Sequence, residues 1–157
     1  MAIITLNNNS LSSVTALPAG IPTGKVLQVV MGTTGTMVTN NTNNWLDTGL
    51  SLTITPSSSS SKIYLAVSQA EVYAISSSIG VSLNLLRNGT SICQFATHVG
   101  YSSNNDFNGE SCNFLDSPAS TSALTYKIQC IPSAGNSGVR AQANSGVSTI
   151  TAMEIAG

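Results

Sequence analysis

The stretch LSLTITP at residues 50–56 decides the fold class, because its apolar and polar side chains alternate without interruption. In an extended chain, Leu50, Leu52 and Ile54 lie on one face, and the hydroxyl residues between them lie on the other. The stretch LTYKIQC at residues 124–130 has the same pattern. Apolar residues at every second position, separated by polar ones, are typical of an antiparallel sheet that is buried on one side.

Similar short runs recur along the chain, and they predict ten strands and no α-helix. Turn signals separate the runs. Asn88-Gly89, for example, favours a type I′ hairpin, because both of its residues accept positive φ. Ten short strands without helices favour a jelly roll or a related two-sheet sandwich. The predicted strands are Lys25–Met31, Gly35–Thr39, Leu50–Thr55, Lys62–Tyr73, Val81–Arg87, Ser91–Val99, Glu110–Leu115, Ala123–Ile131, Val139–Asn144 and Ser148–Ile155.

The first part of the chain differs from the rest. Two prolines and two glycines fall within residues 18–24, a density that disfavours regular structure. Apolar residues before that point are too few to build a core. We therefore predict two parts, an extended N-terminal arm over residues 1–24 and a β-sandwich head over residues 25–157.

The chain is poor in charge, since 7% of its 157 residues are Asp, Glu, Lys or Arg, against about 25% in a typical domain. The net charge is −1 and the five basic residues are scattered, so no electrostatic surface for nucleic acid is predicted. No apolar run approaches the roughly 20 residues of a membrane helix, and the N-terminus lacks the pattern of a signal peptide. We expect neither nucleic acid nor a membrane as a partner.

Low charge also affects the sheet edges. Exposed strand edges need protection against uncontrolled pairing, and charged side chains are a common means of protection. Where charges are few, burial of surface in an oligomer is the natural alternative. We expect the chain to associate with itself; a closed homotrimer would fit, although the sequence of one chain does not fix the symmetry.

The residues needed for catalysis or metal binding are scarce. His98 is the single histidine and has no identifiable partner in the sequence, and no Cys-x-x-Cys pair is present for zinc. Residues 104–109 mimic the first half of a calcium loop, but Leu115 stands at the twelfth position, where a glutamate is needed. We expect no enzymatic activity, no catalytic residue, no metal and no cofactor.

Three cysteines lie in predicted strands, in step with apolar neighbours at a spacing of two. This pattern favours buried free thiols. It also allows one disulfide, but it does not choose the pair. The three are Cys93, Cys112 and Cys130.

The longest polar stretch without strand character is GYSSNNDFNG at residues 100–109, which we expect to form an exposed loop. Trp45 and Tyr73 are expected to pack in the core or in an interface. Asp116, which precedes a Ser-Pro pair, is expected to cap a turn. The candidate ligand contacts in the loop are Tyr101, Asn104, Asn105, Asp106, Phe107 and Asn108.

Several segments resemble a module that recurs at the ends of tail-fibre and virion structural proteins of tailed bacteriophages, especially phages of marine bacteria and cyanobacteria. Their order and spacing match, and they cover the start, middle and end of the head. The leader ITLNNNSLSSVTALPAG at residues 4–20 is also similar to the one that precedes such modules. The matching segments are GKVLQVV at 24–30, TGLSLTITPSSSSSKIYLAVS at 48–68, FLDSPASTSALTYKIQ at 114–129 and STITAMEIAG at 148–157.

The resemblance implies an all-β virion protein, an antiparallel β-sandwich of jelly-roll (TNF-like) type that forms a trimer. No shaft or coiled coil precedes the module in this sequence, so we expect a capsid-decoration or fibre-head component, assembled in the host cytoplasm. A tail-fibre module that binds host surface glycan through its loops is the alternative. The arm would dock onto another virion protein through Ile3, Ile4, Leu6, Leu11 and Val14.

Overall fold

The computed structural model describes residues 25–76, 78–100, 107–135 and 138–157. In these ranges the chain forms all ten predicted strands, and two of them, β5 and β10, have the predicted bounds. No helix in the described ranges is long and apolar enough to cross a membrane. The strands are β1 (Val26–Thr34), β2 (Val38–Asn40), β3 (Leu46–Ile54), β4 (Lys62–Ala74), β5 (Val81–Arg87), β6 (Thr90–Val99), β7 (Asn108–Asp116), β8 (Leu124–Pro132), β9 (Val139–Ala141) and β10 (Ser148–Ile155).

The other eight strands differ from the prediction at one or both ends, and two of these differences have a clear cause in the backbone. The strand predicted over Val139–Asn144 ends at Ala141, because Gln142 and Asn144 adopt left-handed φ values of 53° and 50° and a short 3₁₀ turn follows. Backbone in that region cannot continue a strand. β3 begins four residues earlier than predicted, because Gly49, with φ of 82°, carries an irregularity that extends the pairing with β8.

The strands form two antiparallel sheets. The first has the order β1-β10-β4-β7. The end of β4 also pairs with the short strand β9, which in turn pairs with β2. The second has the order β3-β8-β5-β6. Counting only the eight long strands, the orders are 1-8-3-6 and 2-7-4-5, which is the jelly-roll arrangement. The all-β jelly-roll prediction is therefore confirmed for the head, while the arm over residues 1–24 lies outside the described residues.

The core lies between the two sheets and includes the residues that alternation predicted on β3 and β8. Leu50, Leu52 and Ile54 of β3 are all buried. On β8 the alternate residues are buried too, and three of the four have no exposed surface at all. These four are Leu124, Tyr126, Ile128 and Cys130.

At one side of the sandwich, the two sheets approach closely through a glycine. Gly32 of β1 faces β3, and a Cβ added there would stand 2.0 Å from the backbone oxygen of Ser51. Real carbon and oxygen atoms do not come so close, so only glycine permits this contact. Edge strands β1 and β3 thereby close this side of the molecule.

A polar cluster joins the two sheets from the inside. Asp116, at the end of β7, accepts hydrogen bonds of 2.7 and 2.8 Å from Nη1 of Arg87 on β5. It also accepts a bond of 2.6 Å from Oη of Tyr126 on β8. Burial, followed by this hydrogen bond, raises the pKa of Tyr126 far above its ordinary value, so the hydroxyl stays protonated and donates. Asp116 was expected to cap a turn, and the structure shows that it connects the sheets through side chains.

Glu154 is a second buried acid, on the inner face of β10. Its carboxylate accepts a bond of 2.6 Å from Nε2 of Gln28, and bonds of 2.7 Å from both the backbone N–H and the hydroxyl of Ser57. Burial alone would raise the pKa of Glu154, but the hydrogen bonds outweigh it and hold the pKa at about 2, below the ordinary 4.5.

The depressed pKa of Glu154 predicts a specific acid sensitivity. The ionised carboxylate stabilises the fold above pH 4.5, and this contribution is lost as the pH falls from 4.5 towards 2. Glu154→Gln should lower the free energy of unfolding by about 2 kcal/mol at pH 7, because charge-assisted hydrogen bonds are replaced by weaker ones. Urea unfolding at several pH values checks this. The variant should lose less stability than the wild type over that range, and equal losses would contradict the prediction.

Candidate interaction face

The outer surface of the first sheet is a broad, weakly polar face. Its side chains come from the outward positions of β1, β10, β4 and β7, and we call it the outer face. Three of its large apolar residues are more than half exposed: Val29 at 57%, Met31 at 63% and Leu115 at 52%. Apolar side chains concentrated on one exposed surface are characteristic of an interaction site.

The strand register aligns these residues in rows across the sheet. Val29 pairs with Met153, Met153 with Tyr64, and Tyr64 with Leu115, so one apolar row crosses all four strands. A second row begins with the exposed Met31. It continues through Thr151, Ala66 and Asn113. The third row is made of hydroxyl residues, Thr33, Thr149, Ser68 and Ser111.

Charge is nearly missing from this surface. The three rows contain no charged side chain, and Lys62, the first residue of β4, is an exposed charged residue at their margin. A partner for the outer face therefore needs no opposite charge. It needs apolar side chains and a few hydroxyl groups.

The outer surface of the second sheet is different, because its polar groups bind one another. Nζ of Lys127 and Nε2 of Gln129 donate to the two oxygens of Asp47, over 2.8 and 2.6 Å. The hydroxyls of Thr53 and Thr125 are 3.0 Å apart. Such internal pairing suits a surface that faces water, whereas the outer face carries exposed apolar side chains.

The predicted ligand loop is described only at its end. Phe107 is 48% exposed, and its ring centroid lies 4.7 Å from that of the buried Tyr73. Nη1 of Arg140 donates to the Tyr73 hydroxyl over 2.6 Å, and the guanidinium carbon lies 5.6 Å from the ring centre. Asn108 begins β7. The loop end is thus supported by an aromatic pair and an arginine.

The remaining predicted contacts fall outside the described residues. They are the loop residues Tyr101, Asn104, Asn105 and Asp106 and the arm residues Ile3, Ile4, Leu6, Leu11 and Val14. Of the two aromatic residues predicted to pack, Tyr73 is buried and Trp45 is half-buried.

The described residues offer few groups for catalysis or metal binding. Those residues contain no group of three or more His, Cys, Asp or Glu side chains that could hold a metal ion, and they enclose no pocket. His98 lies on β6 with an exposed side chain and a positive φ of 117°. The three cysteines are free, and of these only Cys130 is fully buried.

The outer face was not predicted, although the sequence carries a signal for it. The run VLQVVM at residues 26–31 is apolar at both odd and even positions, whereas a strand with one face in water should alternate. A nearly continuous apolar strand is typical of burial on both faces. The outward half of that pattern corresponds to Val29 and Met31.

Comparison with solved structures shows the fold. VP2 of infectious bursal disease virus, in the crystal structure of a subviral particle, superposes with a TM-score of 0.55 over 83% of this chain, at 12% sequence identity. The matched region is 33% of that protein, so this chain corresponds to about a third of its length. A structure of the Gx strain of the same virus matches at a TM-score of 0.42, with 13% identity over 84% of this chain and 38% of the other. No protein-family model matches the sequence, and no curated protein matches it.

Proposed function

We propose that this chain is a non-enzymatic structural protein of a bacteriophage particle, a small trimeric component that decorates the capsid or forms the head of a fibre. The observation that carries the proposal is the outer face, a charge-poor surface with an apolar row across four strands. The jelly-roll fold, shared with a protein that forms a subviral particle, supports it, as do the phage-like segments of the sequence.

The partner that best fits the outer face is another copy of the same chain. Because the face is almost neutral, a neighbouring copy in a ring can pack against it without bringing like charges together. Val29, Tyr64 and Leu115 would be removed from water, which is the main favourable contribution to association. A closed ring of copies would also cover exposed strand edges.

A charge placed on the outer face should abolish self-association. We expect the wild-type protein to sediment at three times its 16.1 kDa chain mass, and Met31→Glu and Leu115→Glu to sediment at the mass of one chain. A carboxylate buried in such an interface has no counter-charge to pair with, and its desolvation costs several kcal/mol. Analytical ultracentrifugation at equal protein concentration measures the masses.

Thr53→Glu is the matched control for these variants, because Thr53 is also exposed to solvent but lies on the polar surface of the second sheet. It should leave the trimer intact. If the wild-type protein sediments as a single chain, or if Met31→Glu and Leu115→Glu both remain trimers, the proposed use of the outer face is wrong.

The N-terminal arm is proposed to dock onto another virion protein. An extended segment can add a strand to an exposed sheet edge, and its apolar side chains then fill pockets beside that edge. Deletion of residues 1–24 should give a folded protein of unchanged oligomeric state that no longer enters particles during phage assembly. Electrophoresis of purified particles detects incorporation, and normal incorporation would contradict this role.

A second candidate function is recognition of host surface glycan. The observation that favours it is Phe107, whose exposed ring packs on Tyr73 at the end of the predicted ligand loop. Exposed aromatic rings supply flat apolar surfaces on which sugar rings can stack. Binding of the intact protein to host lipopolysaccharide, lost in Phe107→Ala, would favour this function, and the two roles are compatible in one virion protein.

A further inference from the structure

Cys93 and Cys112 lie on the two edge strands that meet at the second side of the sandwich. Cys93 is on β6, at the edge of the second sheet, and Cys112 is on β7, at the edge of the first. The register directs both side chains inward, since Cys93 pairs with the buried Leu85 and Cys112 with the buried Val67. Both are half-buried and pack against the core.

Both side chains therefore point into the gap between the sheets from facing edge strands, and they pack against the same core. Burial, and then the neighbouring Cys93 thiol, raises the pKa of Cys112 to about 11. The third cysteine, Cys130, is on the central strand β8 and has no exposed surface. The fold therefore selects one pair out of the three that the sequence allows.

We propose that Cys93 and Cys112 form an intramolecular disulfide, linking the two sheets, when the protein meets a small-molecule disulfide as oxidant. One protein thiolate attacks a sulfur of the oxidant, which breaks the oxidant's S–S bond and releases one thiol. The second protein thiolate attacks the mixed disulfide and releases the other thiol. The protein pair loses two electrons and two protons, and the oxidant becomes two thiols.

The surroundings of the pair make this reaction slow and dependent on pH. Thiolate is the reacting form, and the raised pKa of Cys112 leaves little of it at neutral pH. The pair should therefore remain reduced in a reducing cytoplasm and oxidise gradually outside the cell. The bond would close the β6–β7 side of the sandwich covalently, opposite the side that Gly32 closes by contact.

Incubation of the full-length protein with oxidised glutathione tests the proposal. We expect a mass decrease of about 2 Da and a cross-link between Cys93 and Cys112 in a non-reducing peptide map, with faster formation at pH 9 than at pH 7. The loop that the bond closes is about 20 residues long, so the melting temperature should rise by roughly 5–10 °C. Dithiothreitol should reverse both changes.

Variants distinguish this bond from other oxidation products. Cys130→Ala should still form the cross-link and show the thermal shift, whereas Cys93→Ser should show neither. Cys112→Ser should also lose the cross-link and the thermal shift, and it replaces Cys93→Ser as the test if that variant folds poorly. The proposal is overturned if the folded protein forms no cross-link, if it accumulates only mixed disulfides with glutathione, or if the bond joins two chains or includes Cys130.

Discussion

Replacement of Asp116 by alanine is expected to lower the free energy of unfolding by about 3–5 kcal/mol. The side chain of Asp116 is 9% exposed, and it holds both Arg87 and Tyr126 by hydrogen bonds. Without it, an arginine side chain that is only 29% exposed loses its counter-charge, and a buried hydroxyl loses its acceptor. Each of these groups then bears a desolvation cost that nothing offsets.

The ion pair between Lys127 and Asp47 provides the matched control. Its N–O distance of 2.8 Å is almost the same as that of the Arg87–Asp116 pair, but the Asp47 side chain is 49% exposed. Asp47→Ala should therefore cost less than about 1 kcal/mol. Chemical unfolding at one fixed protein concentration compares the two, because the stability of an oligomer depends on concentration. Similar losses of unfolding free energy in the two variants would show that the inter-sheet cluster stabilises the fold no more than a surface ion pair does.

The second large effect is expected from Gly32→Ala, with a loss of about 3 kcal/mol. The new methyl group would stand 2.0 Å from the backbone oxygen of Ser51 and 3.2 Å from Cβ of Leu52. The nearest atom belongs to the backbone and cannot rotate away, so β1 and β3 must separate. Separation opens the side of the sandwich that these two strands close and exposes part of the core.

Gly35→Ala is the control for this substitution. Gly35 lies three residues further along, and a Cβ there would meet Val147 at an ordinary distance of 3.6 Å. Since alanine also restricts the unfolded chain, this variant should be unchanged or more stable by less than about 1 kcal/mol. Thermal unfolding followed by circular dichroism compares the two variants. A small effect at Gly32 would mean that the edge strands are not in firm contact.

Local patterns predicted the strands well, because the alternation of apolar and polar residues follows directly from which side chains are buried. Val81–Arg87 and Ser148–Ile155 have the predicted bounds. The end of β9 was misplaced because nothing in the sequence indicated that Gln142 and Asn144 take left-handed φ values. Pairing between strands is a property of the whole fold, and the jelly-roll arrangement was predicted from strand number together with the resemblance.

The inter-sheet cluster, the outer face and the cysteine pair could not be predicted from local patterns, because each depends on which strands pair and in which register. Arg87 and Asp116 are 29 positions apart, and only the pairing of their strands shows that both turn inward. The outer face likewise required the alignment of Val29 with Met153 and Leu115 through intervening strands. The choice of a cysteine pair also required the strand arrangement, because the spacing of the three cysteines in the sequence does not choose among the three possible pairs.

The antiparallel pairing of β1 with β10 gives the head a polarity. Val26 pairs with Ile155, and the Ala156 N–H donates to the Lys25 carbonyl over 2.9 Å, so the described chain begins and ends at one pole. β7 runs from the opposite pole to this one, over roughly 26 Å at the rise of a strand. Phe107, just before β7, therefore lies at the far pole. A particle that holds the protein at the Lys25 pole would present the Phe107 pole outward. A peptide fused after Gly157 would then emerge at the pole that faces the particle.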